Sequence, residues 1–398
     1  VLTDMALLFL GGWFLGELCK KTGLPALVGM LLAGVILGPG ALGLLQGGIL
    51  AISAPLRQLA LVIILARAGL ALHPKDLLAV GRPALLLCFL PATFEILGML
   101  LLAPPLLGVS VLEAGIIGAV VAAVSPAVVV PRMLALIEDN RGQQRHIPQM
   151  IMAGASVDDV FVIVVFTALT GVAAGGGSFS PAVLGQVPIS ILLGAGAGAL
   201  CGLLLGVFFA RSFLPVPLRT VLFLAVSFLL LEVENQLKGY CPFSGLLGIV
   251  AMGMALLWRT PDRAAELAGS FSSLWVGAEI LLFSLVGAAV DLRYLALCGL
   301  AAVCCVAGGL IFRALGVLLC VIKTPLCKKE RLFCAAAYLP KATVQAAIGG
   351  VPLAMGLGCG STVLAVAVVA ILLTAPLGAL LIDKLGPRLL KKDGGRPV

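Results

Sequence analysis

Apolar runs of roughly 20 residues, bounded by Pro, Gly and charged residues, recur from one end of the chain to the other. A run of that length crosses a hydrocarbon core of about 30 Å as a helix, and a helix satisfies its own backbone polar groups there. The pattern predicts about thirteen such helices, the first centred near Leu10, the sixth near Val160 and the last near Ala370. No stretch between them is polar enough or long enough to fold alone in water. Residues 1–398 therefore read as one integral membrane unit, an all-α polytopic protein.

Composition agrees: 61% of the 398 residues are hydrophobic and 11% charged, with a mean hydropathy of +1.20. An ordinary soluble domain is about 25% charged, so a soluble globule is excluded. The net charge of +8 is spread through short loops and forms no single basic face, which argues against a nucleic-acid partner. If the first helix enters from outside, the odd-numbered loops hold Lys20, Lys21, Arg132, Arg141, Arg145, Arg211, Arg259, Lys328 and others. The even-numbered loops hold only Lys238 and Arg293. That bias places the C-terminus in the cytoplasm or a matrix-like compartment. The 11 cysteines lie mostly inside apolar runs and read as small core residues; no cofactor motif accompanies them. A start at Val1, with no initiator Met or basic leader, reads as a fragment or trimmed chain that an earlier helix can precede.

The chain repeats itself. GLPALVGMLLAGVILGP from Gly23 resembles CPFSGLLGIVAMGMALL from Cys241, and each is followed by a glycine late in the next apolar run, Gly69 and Gly287. A proline then falls inside an apolar run in each half, Pro126 in VVAAVSPAVVVP and Pro340 in AAAYLPKATVQ, where it breaks the backbone ladder. Matching helices are an odd number of spans apart, so the halves insert with opposite orientation. The division expected is 1–175 for the first repeat, 181–212 for a linking helix, 216–385 for the second repeat and 386–398 for a basic tail. Inverted repeats of six helices with two crossing discontinuous helices are a device of secondary transporters, with the site at the crossing.

Ionisable residues inside the bilayer cost at least about 2.5–3.5 kcal/mol each and so mark function. Asp158 and Asp159 sit together in MIMAGASVDDVFVIVVF, far from either loop. Two adjacent carboxylates cannot both be cheaply ionised there, and a site holding either a proton or a cation couples the two flows by competition. On a helix they project about 100° apart. Ser156, Ser125, Thr343 and carbonyls freed around Ser125 are candidate further oxygens for a hard cation such as sodium or lithium. Glu95 and Arg313 each lie 26 residues after the repeat glycine, at equivalent positions of opposite sign, so symmetry brings them together; Lys341 can join them. A purely structural role for these charges competes with a direct one. Arg57, Arg67 and Glu279 are expected to pair or line water, and Glu232 with Glu234 to face an aqueous vestibule. No GxxxxGK[ST] or TVGYG motif points to an ATP-driven pump or a potassium filter.

The entry GLPALVGMLLAGVILGPG, the Ser125–Pro126 crossing, ASVDDV and PKATVQAAIGG, in that order, resemble the cation/proton antiporter superfamily over nearly the whole chain. Within its two-aspartate branch they resemble the animal NHA-type sodium/hydrogen exchangers, the 9B subfamily with its mitochondrial member. The resemblance implies a homodimer in membrane lipid, a mobile six-helix core moving by an elevator-like step, and Asp159 as the ion ligand with Asp158 beside it. It also implies sodium, lithium and protons as the ions, in a plasma or organellar membrane such as an endosomal or mitochondrial one. Bacterial electrogenic relatives pair the first carboxylate with a lysine on the helix that here carries Arg313. Arginine keeps its proton at any relevant pH, which favours electroneutral exchange. Alternatives left open are a potassium/proton exchanger or organic-anion symporter on the same fold, a non-transporting channel-like sensor of pH or ions, and an intramembrane aspartyl protease. The last requires aspartates from separate helices.

Overall fold

The computed structural model describes residues 1–45, 47–71, 81–174, 181–237, 240–241 and 243–392, apart from the side chains of 156, 174, 181–188 and 293–298. Lys238, and the side chains of Ser156 and Arg293, thus lie outside the described residues. Among these, regular structure is helical, and the only β-type pairing is an isolated bridge between Arg141 and Lys392. Among the described residues ten helices are long and apolar enough to cross a membrane, and three further apolar helices are shorter. The expected thirteen is therefore an approximate count.

The first group comprises α1 (Leu2–Lys21), α2 (Ala26–Leu37) and α3 (Ser53–Ala71). Then come α4 (Leu90–Leu107), α5 (Val111–Ala122), α6 (Pro126–Glu138) and α7 (Ile147–Ala174). A linking helix α8 (Pro181–Arg211) leads to α9 (Val216–Leu237), α10 (Gly245–Arg259) and α11 (Pro261–Ala288). The chain closes with α12 (Leu292–Cys320), α13 (Lys328–Ala337), α14 (Thr343–Ile348) and α15 (Gly360–Leu389).

The helices form two bundles, each made from both halves of the chain. In one, α3 packs on α10 and α11, and α11 packs on α2. Glycine permits both close approaches: a Cβ on Gly69 would stand 2.4 Å from the Val250 carbonyl oxygen, and one on Gly287 would stand 2.1 Å from that of Leu31. These repeat-related glycines thus make equivalent crossings, each helix reaching into the other half. In the second bundle α4 packs along α12, while α5, α7 and α15 enclose the crossing.

Local chemistry sets the breaks. Helix α4 ends at Gly108, whose left-handed φ of 67° no bulkier residue adopts cheaply, and α5 starts on a capping box of Ser110 with Glu113. Helix α5 stops at Ala122, residues 123–125 are extended, and Pro126 opens α6 at a position where its missing N–H costs nothing. The sequence placed Pro126 inside a helix as the breaker; it is instead the first residue of the second half-helix. In the other half, α13 ends before Tyr338, Pro340 lies in the non-helical stretch that follows, and α14 begins at Thr343. The breaks meet: the Ser125 N–H donates to the Pro340 carbonyl at 2.8 Å. The two halves also meet through Arg145–Glu330 at 2.5 Å and, between α6 and α15, Arg132–Asp383 at 3.1 Å.

Candidate ion site at the helix crossing

Four half-helix ends converge at the crossing, leaving carbonyls at the ends of α5 and α13 and N–H groups at the starts of α6 and α14. Arg313, projecting from α12 and fully buried, serves both C-terminal ends. It donates to the Ala122 carbonyl of α5 and, at 2.6 Å, to the Tyr338 carbonyl that follows α13. A guanidinium is suited to this because it presents five donors in a rigid fork and complements the negative ends of two helix dipoles. Its plane also stacks near the Tyr338 ring, 5.4 Å from the centroid.

The same guanidinium binds Glu95 from α4 at 3.0 Å and Asp158 from α7 at 2.8 Å. The Lys341 ammonium, in the second break, meets the same Glu95 oxygen at 2.5 Å. Glu95 and Arg313, at equivalent positions of the two halves, therefore stand together with Lys341. Lys341 is also held by its backbone N–H, which donates to Thr374 Oγ1 at 2.8 Å. The second oxygen pair of the site divides unequally: Asp158 Oδ2 also accepts the Val124 N–H at 2.8 Å, whereas Asp158 Oδ1 has no protein partner.

Asp159 differs from its neighbour. It makes none of the described ion pairs and is partly exposed, yet its Oδ1 is buried and without a hydrogen-bond partner. It lies within electrostatic reach of Asp158, Arg313 and Lys341. The carboxylates Glu95, Asp158 and Asp159 outnumber the cations Arg313 and Lys341 by one, and the pairing leaves Asp159 as the uncompensated group.

Ser125 Oγ and Thr343 Oγ1, expected as supporting oxygens, are buried and unpartnered at the two breaks. The carbonyls around Ser125 are less available than expected. Gln345 on α14 donates to those of Val120, Val121 and Ala123 at 3.1, 3.3 and 3.0 Å, and Arg313 takes that of Ala122. Gln345 Oε1 is itself buried without a partner. Sequence reading passed over Gln345, since one neutral amide makes no charge pattern; its place four residues after Lys341, one turn into the half-helix, was the available signal. Tyr338 and Gly154 were missed similarly: a Cβ on Gly154 would stand 2.1 Å from the Tyr338 hydroxyl, so glycine one turn before Asp158 admits the ring.

Outside the crossing, Arg67 stacks over Trp275, 5.6 Å from the ring centroid, and attracts Glu279. Glu232 is exposed and accepts from Gln236 at 2.7 Å. Arg57 and Glu234 line a cavity of about 330 Å³, together with Phe166, Thr167 and Thr170 of α7. Those α7 positions follow Asp159 by seven, eight and eleven residues, on the same helical face.

A family model described as "Sodium/hydrogen exchanger, transmembrane" matches residues 5–383. The chain belongs to the sodium/hydrogen exchanger family. Relatives within it include sodium/hydrogen exchanger 9B2 of Mus musculus, 36% identical over 94% of this chain and 70% of that protein. The Homo sapiens 9B2 protein is also 36% identical, over 96% and 73%, and the Homo sapiens 9B1 protein is 34% identical, over 85% and 67%. Among solved structures, the sodium proton antiporter MjNhaP1 from Methanocaldococcus jannaschii at pH 8 superposes with a TM-score of 0.82 over 98% of each chain. At 20% identity that likeness speaks for the fold alone, and it establishes the sodium/proton antiporter fold for this exchanger-family chain. Its relatives are transporters, which leaves the protease alternative without support.

Proposed function

We propose that the chain exchanges one sodium ion for one proton across a membrane, both competing for the Asp159 carboxylate. The observation that carries this is the charge balance at the crossing. Arg313 and Lys341 are committed to Glu95 and Asp158, so a single negative charge is left, and one proton or one monovalent cation neutralises it. A carboxylate, a neighbouring carboxylate oxygen and hydroxyls form the hard-oxygen set that alkali cations prefer. Here Asp159 Oδ1, Asp158 Oδ1, Ser125 Oγ and Thr343 Oγ1 supply such atoms. Ion pairs among Arg313, Glu95 and Lys341 hold the broken helices together and carry no ion themselves.

Lithium, smaller and equally hard, is accepted at the same oxygens. Alternating access arises as the bundle bearing α4–α7 and α12–α15 moves against the bundle of α1–α3 and α9–α11, with residues 1–175 and 216–385 acting as inverted repeats. The linking segment 181–212 joins them, and the basic C-terminal end, of which α15 takes in residues up to Leu389, lies on the cytoplasmic or matrix side. The exposed apolar faces of α1 and α8, with Leu10, Trp13 and Phe14 on one and Leu192, Leu200 and Leu204 on the other, suit lipid and a second copy of the chain. The resemblance to the 9B exchangers supports a homodimer in a plasma or organellar membrane.

Reconstituted protein with an imposed proton gradient tests the proposal. Sodium or lithium should discharge the gradient, potassium should do so poorly, and Asp159→Asn should abolish the discharge. Equal discharge by the Asn variant would remove Asp159 from the mechanism.

A further inference from the structure

Beyond the crossing, one buried charge among the described residues has no ion-pair partner. Arg57, on the second turn of α3, is only 7% exposed. Its Nε donates to the Ser53 carbonyl at 3.4 Å, while its Nη1 is buried without a hydrogen-bond partner. Among the described residues it makes no ion pair. Removing a guanidinium from water without a counter-charge is costly, so a buried, unpaired one marks a place where an anion is stabilised.

The guanidinium faces the 330 Å³ cavity already noted. That volume is at the lower end of small-molecule sites, which are mostly apolar with a few placed polar groups. The composition fits: Leu61, Phe166, Leu231 and Ile348 form apolar walls, and Thr167 and Asn235 add polar tips. Glu234, also on the wall, accepts the Gly245 N–H at 2.8 Å, directing carboxylate charge to the start of α10. A second negative group on a ligand would be disfavoured by it. The cavity lies where α3, α7 and α9 begin or end, so it is reached from the aqueous phase at one membrane face.

We infer that this cavity binds a small amphipathic monocarboxylate, its carboxylate on Arg57 and its apolar body between Leu61, Leu231 and Ile348. The site spans both bundles: Arg57 and Leu231 belong to one, Phe166 and Ile348 to the other. Arg57 also abuts Gly350, two residues beyond α14, where a Cβ would stand 2.0 Å from its Nη1. A bound acid wedges the bundles and covers the face of α7 that leads to Asp159, so it inhibits exchange. This inhibitory effect rests on the proposed function; the binding does not.

The test uses the full chain purified in detergent, with 4-phenylbutyrate as probe and its uncharged amide as control, read by calorimetry and by saturation-transfer NMR. The acid should bind at least about tenfold more tightly than the amide, as a charge-assisted bond implies. Arg57→Gln should erase that preference, and Arg57→Lys should retain part of it. Leu231→Trp, which fills the cavity and leaves Arg57 in place, should weaken both ligands. Asp159→Asn should bind the acid as the parent protein does while failing to transport, which separates failure of this site from failure of the exchange mechanism. Equal affinity for acid and amide, an undiminished preference in Arg57→Gln with a parent-like melting temperature, or no saturable binding to the parent protein would overturn the inference.

Discussion

Asp158 spends one carboxylate oxygen on Arg313 and the Val124 N–H, each at 2.8 Å, whereas Asp159 has no described ion pair. Their chemistry should separate accordingly. Asp159→Asn is expected to abolish exchange while leaving the melting temperature near that of the parent, because no described ion pair is broken. Arg313→Ala is expected to cost about 3–5 kcal/mol in an unfolding or heat-inactivation assay, since it strands the buried Asp158 and two helix-end carbonyls and leaves Glu95 with Lys341 alone. Arg313→Lys should recover only part of that, because one ammonium cannot reach the four partners that the fork holds. Much of this was legible beforehand. The adjacent aspartates declared themselves by sitting mid-helix, and the equal 26-residue offsets from Gly69 and Gly287 foretold the Glu95–Arg313 pair. What stayed hidden was the role of neutral donors: Gln345 consumes carbonyls that looked available at the first break, and an uncharged amide in an apolar run gives no hint of it.

At the scale of elements, the two breaks and their contact depend on prolines that no helix interior holds without loss of a hydrogen bond. Gly378 on α15 accommodates one of them, since a Cβ there would stand 2.3 Å from Pro340 Cγ. Gly378→Val is therefore expected to push the second break away from α15. It should lower exchange and destabilise the protein by about 1–3 kcal/mol, the range for overpacking, as read by flux and thermal unfolding. Gly69→Val should act similarly at the α3–α10 crossing but spare the ion site, lowering stability more than sodium affinity. Helix number was readable only approximately because apolar runs overstate three helices, α2, α10 and α14, the last only 6 residues long. Pro25 and Gly38 trim α2 to 12 residues, and Ser244 and Thr260 bound α10 at 15. An apolar loop residue beside a helix end looks the same in sequence as one inside it.

For the whole molecule, the proposed one-for-one exchange makes a statement about charge. One uncompensated carboxylate and an arginine that does not release its proton would make each turnover electrically silent. Flux in proteoliposomes should therefore be unchanged when the membrane potential is clamped at opposite signs with ion gradients fixed. Competition also fixes the sign of the pH dependence. Under the proposed competition, protons displace sodium from Asp159 as pH falls, so sodium binding should weaken on the acid side and level off on the alkaline side. The most direct measurement is equilibrium binding of radioactive sodium to the purified protein across a pH series. The expected result is an apparent affinity that falls about tenfold per pH unit on the acid limb, with unchanged capacity, and no binding by Asp159→Asn. Sodium affinity that is independent of pH, or binding retained in the Asn variant, would contradict a shared site for the ion and the proton.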